Sequence, residues 1–136
     1  MMDTDQELKL DSIARHLGVR IMRDLRDELH QDDAAGWFPQ SRRVLYRNDM
    51  PYRETLCAVA HELAHAFYGD EHTVDPRRDA RQEARADRWA AGALITKKAY
   101  REAESIVGSH AGALAAELNV TVEYIHIWRA MHVYTQ

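Results

Sequence analysis

Cysteine is nearly absent from this chain, whose 136 residues include a single one, Cys57. One thiol excludes an intramolecular disulfide framework and a cysteine-based zinc knuckle, and it suits a reducing compartment. Residues 1–9 lack the basic and apolar regions of a signal peptide. No apolar run approaches the roughly 20 residues needed to cross a bilayer. These absences together predict a cytoplasmic protein that does not act at a membrane.

An excess of positive charge is missing as well. The sequence has 18 Lys and Arg residues against 22 Asp and Glu residues, a formal net charge of -4. This balance provides no global attraction to nucleic acid, so direct nucleic-acid binding is not expected. Charged residues at 29% and hydrophobic residues at 46% are ordinary for a globular protein. The length suits a single domain over residues 1–136.

Start and stop signals divide much of the chain into helices. The first helix is predicted between Thr4, which has capping-box spacing to Glu7, and Gly18. The remaining helices are predicted between Pro51 and Gly69, from Asp75-Pro76 through Trp89 and Leu94 toward Tyr100, over residues 111–118, and over residues 122–132 with Thr121 as cap.

Short apolar alternations at residues 19–25 and 42–47 indicate strands, with a turn predicted around Gly36 between them. We therefore predict an α+β fold that is mostly helical and carries a small antiparallel three-stranded sheet.

The segment His61-Glu62-Leu63-Ala64-His65 matches the pattern H-E-x-x-H within the predicted core helix. Residues four apart lie on one helix face, so both imidazoles can bind one metal ion. Glu62 is the candidate general base, and later acid, because it projects beside the metal without being a ligand. Hydrolysis by metal-activated water needs no Ser or Cys nucleophile. Zinc is the favoured ion, although manganese accepts the same ligand types.

A catalytic zinc site normally takes a third protein ligand, for which two residues compete. Glu83 lies on the next predicted helix, where Asp87 follows one turn later and could accept the Nδ1 hydrogen of a ligand histidine. His72 is the alternative, but it comes one residue later than the extended metzincin pattern requires. Glu83 is therefore the preferred third ligand.

The motif His61-Glu62-x-x-His65, followed by Glu83-x-x-Ala86, Trp89-Ala90 and the aliphatic pair Leu94-Ile95, resembles the ImmA/IrrE-type metallo-endopeptidases. The resemblance covers most of the chain and implies a zincin-like minimal metallopeptidase domain. It also implies His61, His65 and Glu83 as metal ligands and Glu62 as catalytic acid/base. Trp89 replaces the family's usual phenylalanine, and Thr96-Lys97-Lys98 stands where a proline is typical.

The same resemblance implies a substrate and a source. Such peptidases cleave a transcriptional repressor or an antitoxin, often encoded beside them on a phage or other mobile element, and this chain is similar to the short phage forms. Because many members carry a DNA-binding domain that is missing here, we expect a separate DNA-binding protein as partner.

A rival hypothesis treats residues 113–128 as a helix-turn-helix, with residues 122–129 as recognition helix. Against it, this helix has one basic residue, Arg129, and an acidic Glu123 near its start. A protein that keeps the metal site but only binds its partner is a further alternative.

Two further elements of a peptidase site are open at this stage. A donor to the oxyanion could come from several residues of suitable chemistry, and the free edge of the predicted sheet could bind substrate as an added strand. The candidate donors are Tyr68, His72, His110, Tyr124 and His126.

Overall fold

The computed structural model describes residues 4–132, and within them it contains six α-helices and three β-strands. The predicted α+β, mostly helical class is confirmed. In chain order the elements are α1 (Asp5–Leu17), β1 (Arg20–Arg23), β2 (Ala35–Phe38), β3 (Arg43–Tyr46), α2 (Tyr52–Tyr68), α3 (Pro76–Leu94), α4 (Lys97–Val107), α5 (Ala111–Leu118) and α6 (Val122–Met131).

Local capping sets the ends of the helices that flank the sheet. The Thr4 hydroxyl accepts the Glu7 backbone N–H at 3.1 Å, which starts α1 as the capping-box spacing predicts. Gly18 and Gly69 end α1 and α2 with φ of 67° and 68°. This left-handed conformation costs glycine little, so both predicted helix ends are confirmed.

The predicted continuous helix from Pro76 toward Tyr100 is wrong, because the chain leaves the helix at Ile95. That residue is extended, with φ -125° and ψ 107°. Thr96 then caps a new helix, its hydroxyl accepting the Ala99 backbone N–H at 3.0 Å. A threonine cap thus makes the break at the position where the resembling family typically has proline.

The sheet is mixed, with strand order β1-β3-β2, so the prediction of an all-antiparallel sheet is wrong in part. β2 pairs antiparallel with β3, whereas β1 pairs parallel with it. The chain reverses direction on each side of β2, so β3 returns in the direction of β1. Gly36 lies within β2 and not in a turn; a Cβ there would stand 2.8 Å from Leu29 Cδ2, so glycine lets that side chain pack on the strand.

Helix α2 is the central element of the core. Its residues Leu56, Val59, Ala60 and Leu63 have no exposed surface, and the helix contacts α3 as well as β2 and β3. α6 in turn packs on α3. No helix within residues 4–132 is both long and apolar enough to cross a bilayer.

The cap at Thr96 can be tested through stability. Thr96→Ala should lower the free energy of unfolding by about 1 kcal/mol, because the first turn of α4 loses a hydrogen-bond acceptor. Thr96→Ser keeps an acceptor and is the matched control. Urea unfolding followed by circular dichroism measures both; equal losses in the two variants would contradict the assigned cap.

Candidate metal centre

Three side chains from two helices converge at one point. His61 and His65 come from α2 and Glu83 from α3, and one ligand atom of each lies within 4.8 Å of the others. The two Nε2 atoms are 3.2 Å apart. Glu83 Oε2 lies 2.6 Å from His61 Nε2, and its Oε1 lies 3.2 Å from His65 Nε2. Within the described part of the chain, no other group of His, Cys, Asp or Glu residues is close enough to hold a metal ion.

These donors suit a zinc ion. Two imidazoles and one carboxylate are an ordinary catalytic set that leaves a fourth position open. Two ligands about 2.1 Å from a tetrahedral ion stand about 3.4 Å apart, close to the 3.2 Å between the Nε2 atoms. The Nδ1 atoms of both histidines meet carboxylates, so each Nε2 can present its lone pair to the ion.

His61 is held by Asp87, as the spacing on α3 suggests. Its Nδ1 lies 2.7 Å from Asp87 Oδ1, and the hydroxyl of Tyr124 on α6 donates to the same oxygen at 3.4 Å. Burial lowers the pKa of His61, but the Asp87 hydrogen bond and the charges of Glu62 and Glu83 outweigh it and raise the pKa to about 9. An ion must therefore displace a proton from this imidazole at neutral pH.

His65 is held by Asp70, a residue that the sequence argument missed. Its Nδ1 lies 3.0 Å from Asp70 Oδ2, while Arg85 donates to Asp70 Oδ1 at 2.5 Å and the Trp37 indole N–H donates to the Asp70 carbonyl at 3.2 Å. Gly69 makes this contact available, because its left-handed turn folds the chain back until the Asp70 N–H meets the His65 carbonyl. The sequence signal for this contact is an acidic residue directly after the glycine that ends the helix of the H-E-x-x-H motif.

Glu62 lies between two cavities that flank the centre. One, of about 420 Å³, has β2 residues such as Trp37 in its wall; the other, of about 570 Å³, is lined by Tyr124 of α6. Burial raises the pKa of Glu62 to about 7, opposed by the nearby charges of His61 and His65. A carboxyl group with this pKa can both accept and return a proton near neutral pH.

Two of the candidate oxyanion donors reach these cavities. His72 lines the cavity on the β2 side, where it is exposed and lies outside the group of metal-binding atoms. Tyr124 lines the other cavity, where its hydroxyl also donates to the Cys57 carbonyl at 3.4 Å.

The other three candidates have different surroundings. Tyr68 lies under the Arg85 guanidinium, whose Cζ is 4.0 Å from the ring centre. The His110 Nδ1 accepts the Ala113 backbone N–H at 3.2 Å and so caps α5. His126 is exposed on α6 and lines neither cavity beside Glu62.

The fold and the candidate centre together define a class: a mostly helical α+β protein with an H-E-x-x-H helix and a carboxylate on the following helix, an arrangement typical of metal-dependent hydrolases. The model of the peptidase M78 family, described as the IrrE N-terminal-like domain, matches residues 14–127. The chain belongs to this family, which confirms the resemblance drawn from the motif and supports a metallopeptidase. A search among curated proteins returned no match.

The role of Asp70 leads to a prediction about metal affinity. Asp70→Asn should weaken zinc binding by about 10- to 100-fold, because His65 loses the carboxylate that orients its ring. Asp79→Asn makes the same charge change in the wall of the β2-side cavity, without contacting an imidazole, and is the control. Competition with a chromogenic chelator measures both affinities. If the two variants weaken zinc binding equally, Asp70 contributes only its negative charge and does not orient His65.

The raised pKa values predict how the stability of the metal-free protein depends on pH. His61 stabilises the fold fully below pH 6.5 and loses this contribution as the pH rises to about 9. Glu62 changes stability in the same direction between pH 4.5 and about 7, because the folded protein holds its proton more tightly.

With chelator present, the urea midpoint should therefore fall steadily between pH 6.5 and about 9. Asp87→Asn replaces the charged acceptor of the His61 Nδ1 hydrogen by a neutral one, which lowers the His61 pKa and should flatten the upper part of this decline. A wild-type midpoint that is level or rises over this range would contradict the assignment.

Proposed function

We propose that this protein is a zinc-dependent endopeptidase in which His61, His65 and Glu83 hold the ion and Glu62 is the catalytic acid/base. The observation that carries the proposal is the position of Glu62. Glu62 lines both cavities and follows directly on His61, which belongs to the group of candidate metal ligands. A substrate lying across the two cavities must pass this carboxyl group.

The ion, when bound, lowers the pKa of water and polarises the scissile carbonyl. Glu62 then accepts the proton of the attacking water and passes it to the leaving amine. Its raised pKa of about 7 suits both transfers. Asp87 and Asp70 keep the two imidazoles oriented throughout and are positioning residues.

Tyr124 is the candidate that best fits the donor to the oxyanion. Burial raises its pKa, helped by the Asp87 charge, so the hydroxyl keeps its proton and can donate it in a hydrogen bond. It lies in the same cavity wall as His61 and Glu62. His72 is the corresponding donor on the β2 side.

The edge of the sheet offers a place for an extended substrate. β2 is an outer strand in the order β1-β3-β2, and Gly36, Trp37 and Phe38 line the cavity beside Glu62. A peptide pairing with this edge would run along the metal centre. An inhibitor bound away from β2 would remove this part of the proposal.

The substrate that we propose is a DNA-binding repressor or an antitoxin in the cytoplasm, on the strength of the family resemblance. Manganese is the alternative ion because it accepts the same ligands. The DNA-binding hypothesis has little support. Tyr124, Ile125 and Trp128 of the supposed recognition helix are buried, and Arg129, its basic residue, donates to the Tyr100 hydroxyl and the Ser109 carbonyl.

Metal content and cleavage test the peptidase proposal together. Elemental analysis should find about one zinc per chain in the wild type and in His72→Ala, and a large loss in Glu83→Ala. Loss of metal in His72→Ala alone would instead identify His72 as the third ligand. Circular dichroism checks that each variant folds.

Glu62→Gln separates catalysis from metal binding. It should keep the ion but reduce cleavage of a repressor or antitoxin substrate by at least about 100-fold, because no group then takes the proton from water. If the wild type contains a full complement of metal but cleaves nothing, the result would support the alternative hypothesis that the protein binds its partner without cutting it.

A further inference from the structure

The two cavities that meet at Glu62 are walled by carboxylates and, among their described lining residues, include no Lys or Arg. Six of these carboxylates lie outside the metal centre and its supporting shell. They are Asp33, Glu71 and Asp79 in the cavity beside β2, and Asp32, Glu54 and Glu123, again with Asp33, in the cavity beside α6. Negative charge therefore lies on both sides of Glu62.

These carboxylates form few ion pairs within the protein, although Arg47 donates to the backbone carbonyls of Asp33 and His30 beside the cavities. Apart from a 4.0 Å approach of His30 to Asp32, none of the six forms a salt bridge with a residue in the described range. Elsewhere acids are neutralised, as Glu28 is by Arg43 at 2.8 Å. Uncompensated charge in a cleft with low-dielectric walls concentrates the field on whatever enters.

The arrangement does not suit a second metal ion. Only His61, His65 and Glu83 bring ligand atoms close enough to share an ion within residues 4–132. The remaining carboxylates are spread along the walls instead of meeting at one point. Such a distribution fits an extended ligand that carries several separate positive charges.

Helix α3 separates the two signs of charge. Its acidic residues Asp79, Glu83 and Asp87 line the two cavities at the metal centre. Four of the five arginines of the same helix line a different cavity, of about 630 Å³, together with Tyr68. They are Arg78, Arg81, Arg85 and Arg88. Arg85 pairs with Asp70, which lines the β2-side cavity, but none of the four arginines itself lines either cavity at the metal centre.

We infer that the cleft selects a peptide segment with Lys or Arg on both sides of the bond to be cut. The inference rests on the proposed function, which makes the occupant a polypeptide, and it adds the class of sequence. A basic segment is also what a DNA-binding partner presents to phosphates. Glu54 and Glu123 are the specificity-determining residues on the α6 side, and Asp79 is one on the β2 side.

Binding of matched peptides tests this directly. Three fluorescent decapeptides share an apolar centre and differ only in flanking Arg, Gln or Glu residues; fluorescence anisotropy measures their binding to zinc-loaded Glu62→Gln protein. The Arg peptide should bind about tenfold tighter than the Gln peptide, and the Glu peptide most weakly. The difference should shrink at high salt, where the Debye length falls to about 3 Å.

A charge-matched pair of variants locates the effect. The double change Glu54→Gln with Glu123→Gln should reduce the preference for Arg over Gln several-fold. Glu102→Gln with Glu104→Gln makes the same net change on exposed positions of α4, outside both cavities, and should leave the preference intact. Equal effects of the two pairs would overturn the inference, since only net charge would then matter.

Cleavage of the same peptides by the wild type separates this inference from the proposed function. Equal binding and equal cleavage of the Arg and Gln peptides overturns the basic specificity and leaves the peptidase standing. Preferential binding of the Arg peptide without cleavage of any peptide supports the specificity and counts against the peptidase.

Discussion

Close packing of α2 against α3 is the constraint on which the metal centre depends. Two of the candidate ligands lie on one helix and the third on the other, yet Glu83 and His61 approach within 2.6 Å. Ala60 and Ala64 on α2, and Ala86 on α3, are completely buried, and such small side chains let two helices come close. A larger residue at such a position would separate the helices and carry Glu83 away from the imidazoles, where a displacement of about 1 Å is enough to spoil a site.

The same packing concentrates negative charge at the half-buried candidate metal centre. Glu62, Glu83, Asp87 and Asp70 all lie around two imidazoles, and without an ion the site retains protons, as the raised pKa values of His61 and Glu62 indicate. A divalent cation would replace those protons and satisfy the carboxylates together. Metal binding is therefore expected to stabilise the fold as well as to supply chemistry.

Local signals in the sequence predicted most of the helices and the two candidate histidine ligands, because each depends on neighbours within about one turn. Caps such as Thr4, the terminating Gly69 and the four-residue spacing from His61 to His65 are of this kind. The parallel pairing of β1 with β3 depends on the path of residues 24–34, which no local pattern encodes. The contact of Asp70 with His65 was missed for a related reason, since it requires the geometry of the turn that follows the helix.

The charges of α3 explain why the order of residues along the sequence was a poor guide to which side of this helix faces solvent. Arginine and acidic residues alternate along its sequence, a pattern that on its own indicates a solvated face of mutual ion pairs. With 3.6 residues per turn the two sets separate, the acids toward the metal centre and four of the five arginines toward another cavity. Arg85 joins the two sides, because it anchors Asp70, which in turn holds His65. One helix thus supplies the third candidate ligand from one face and supports the second histidine from the other.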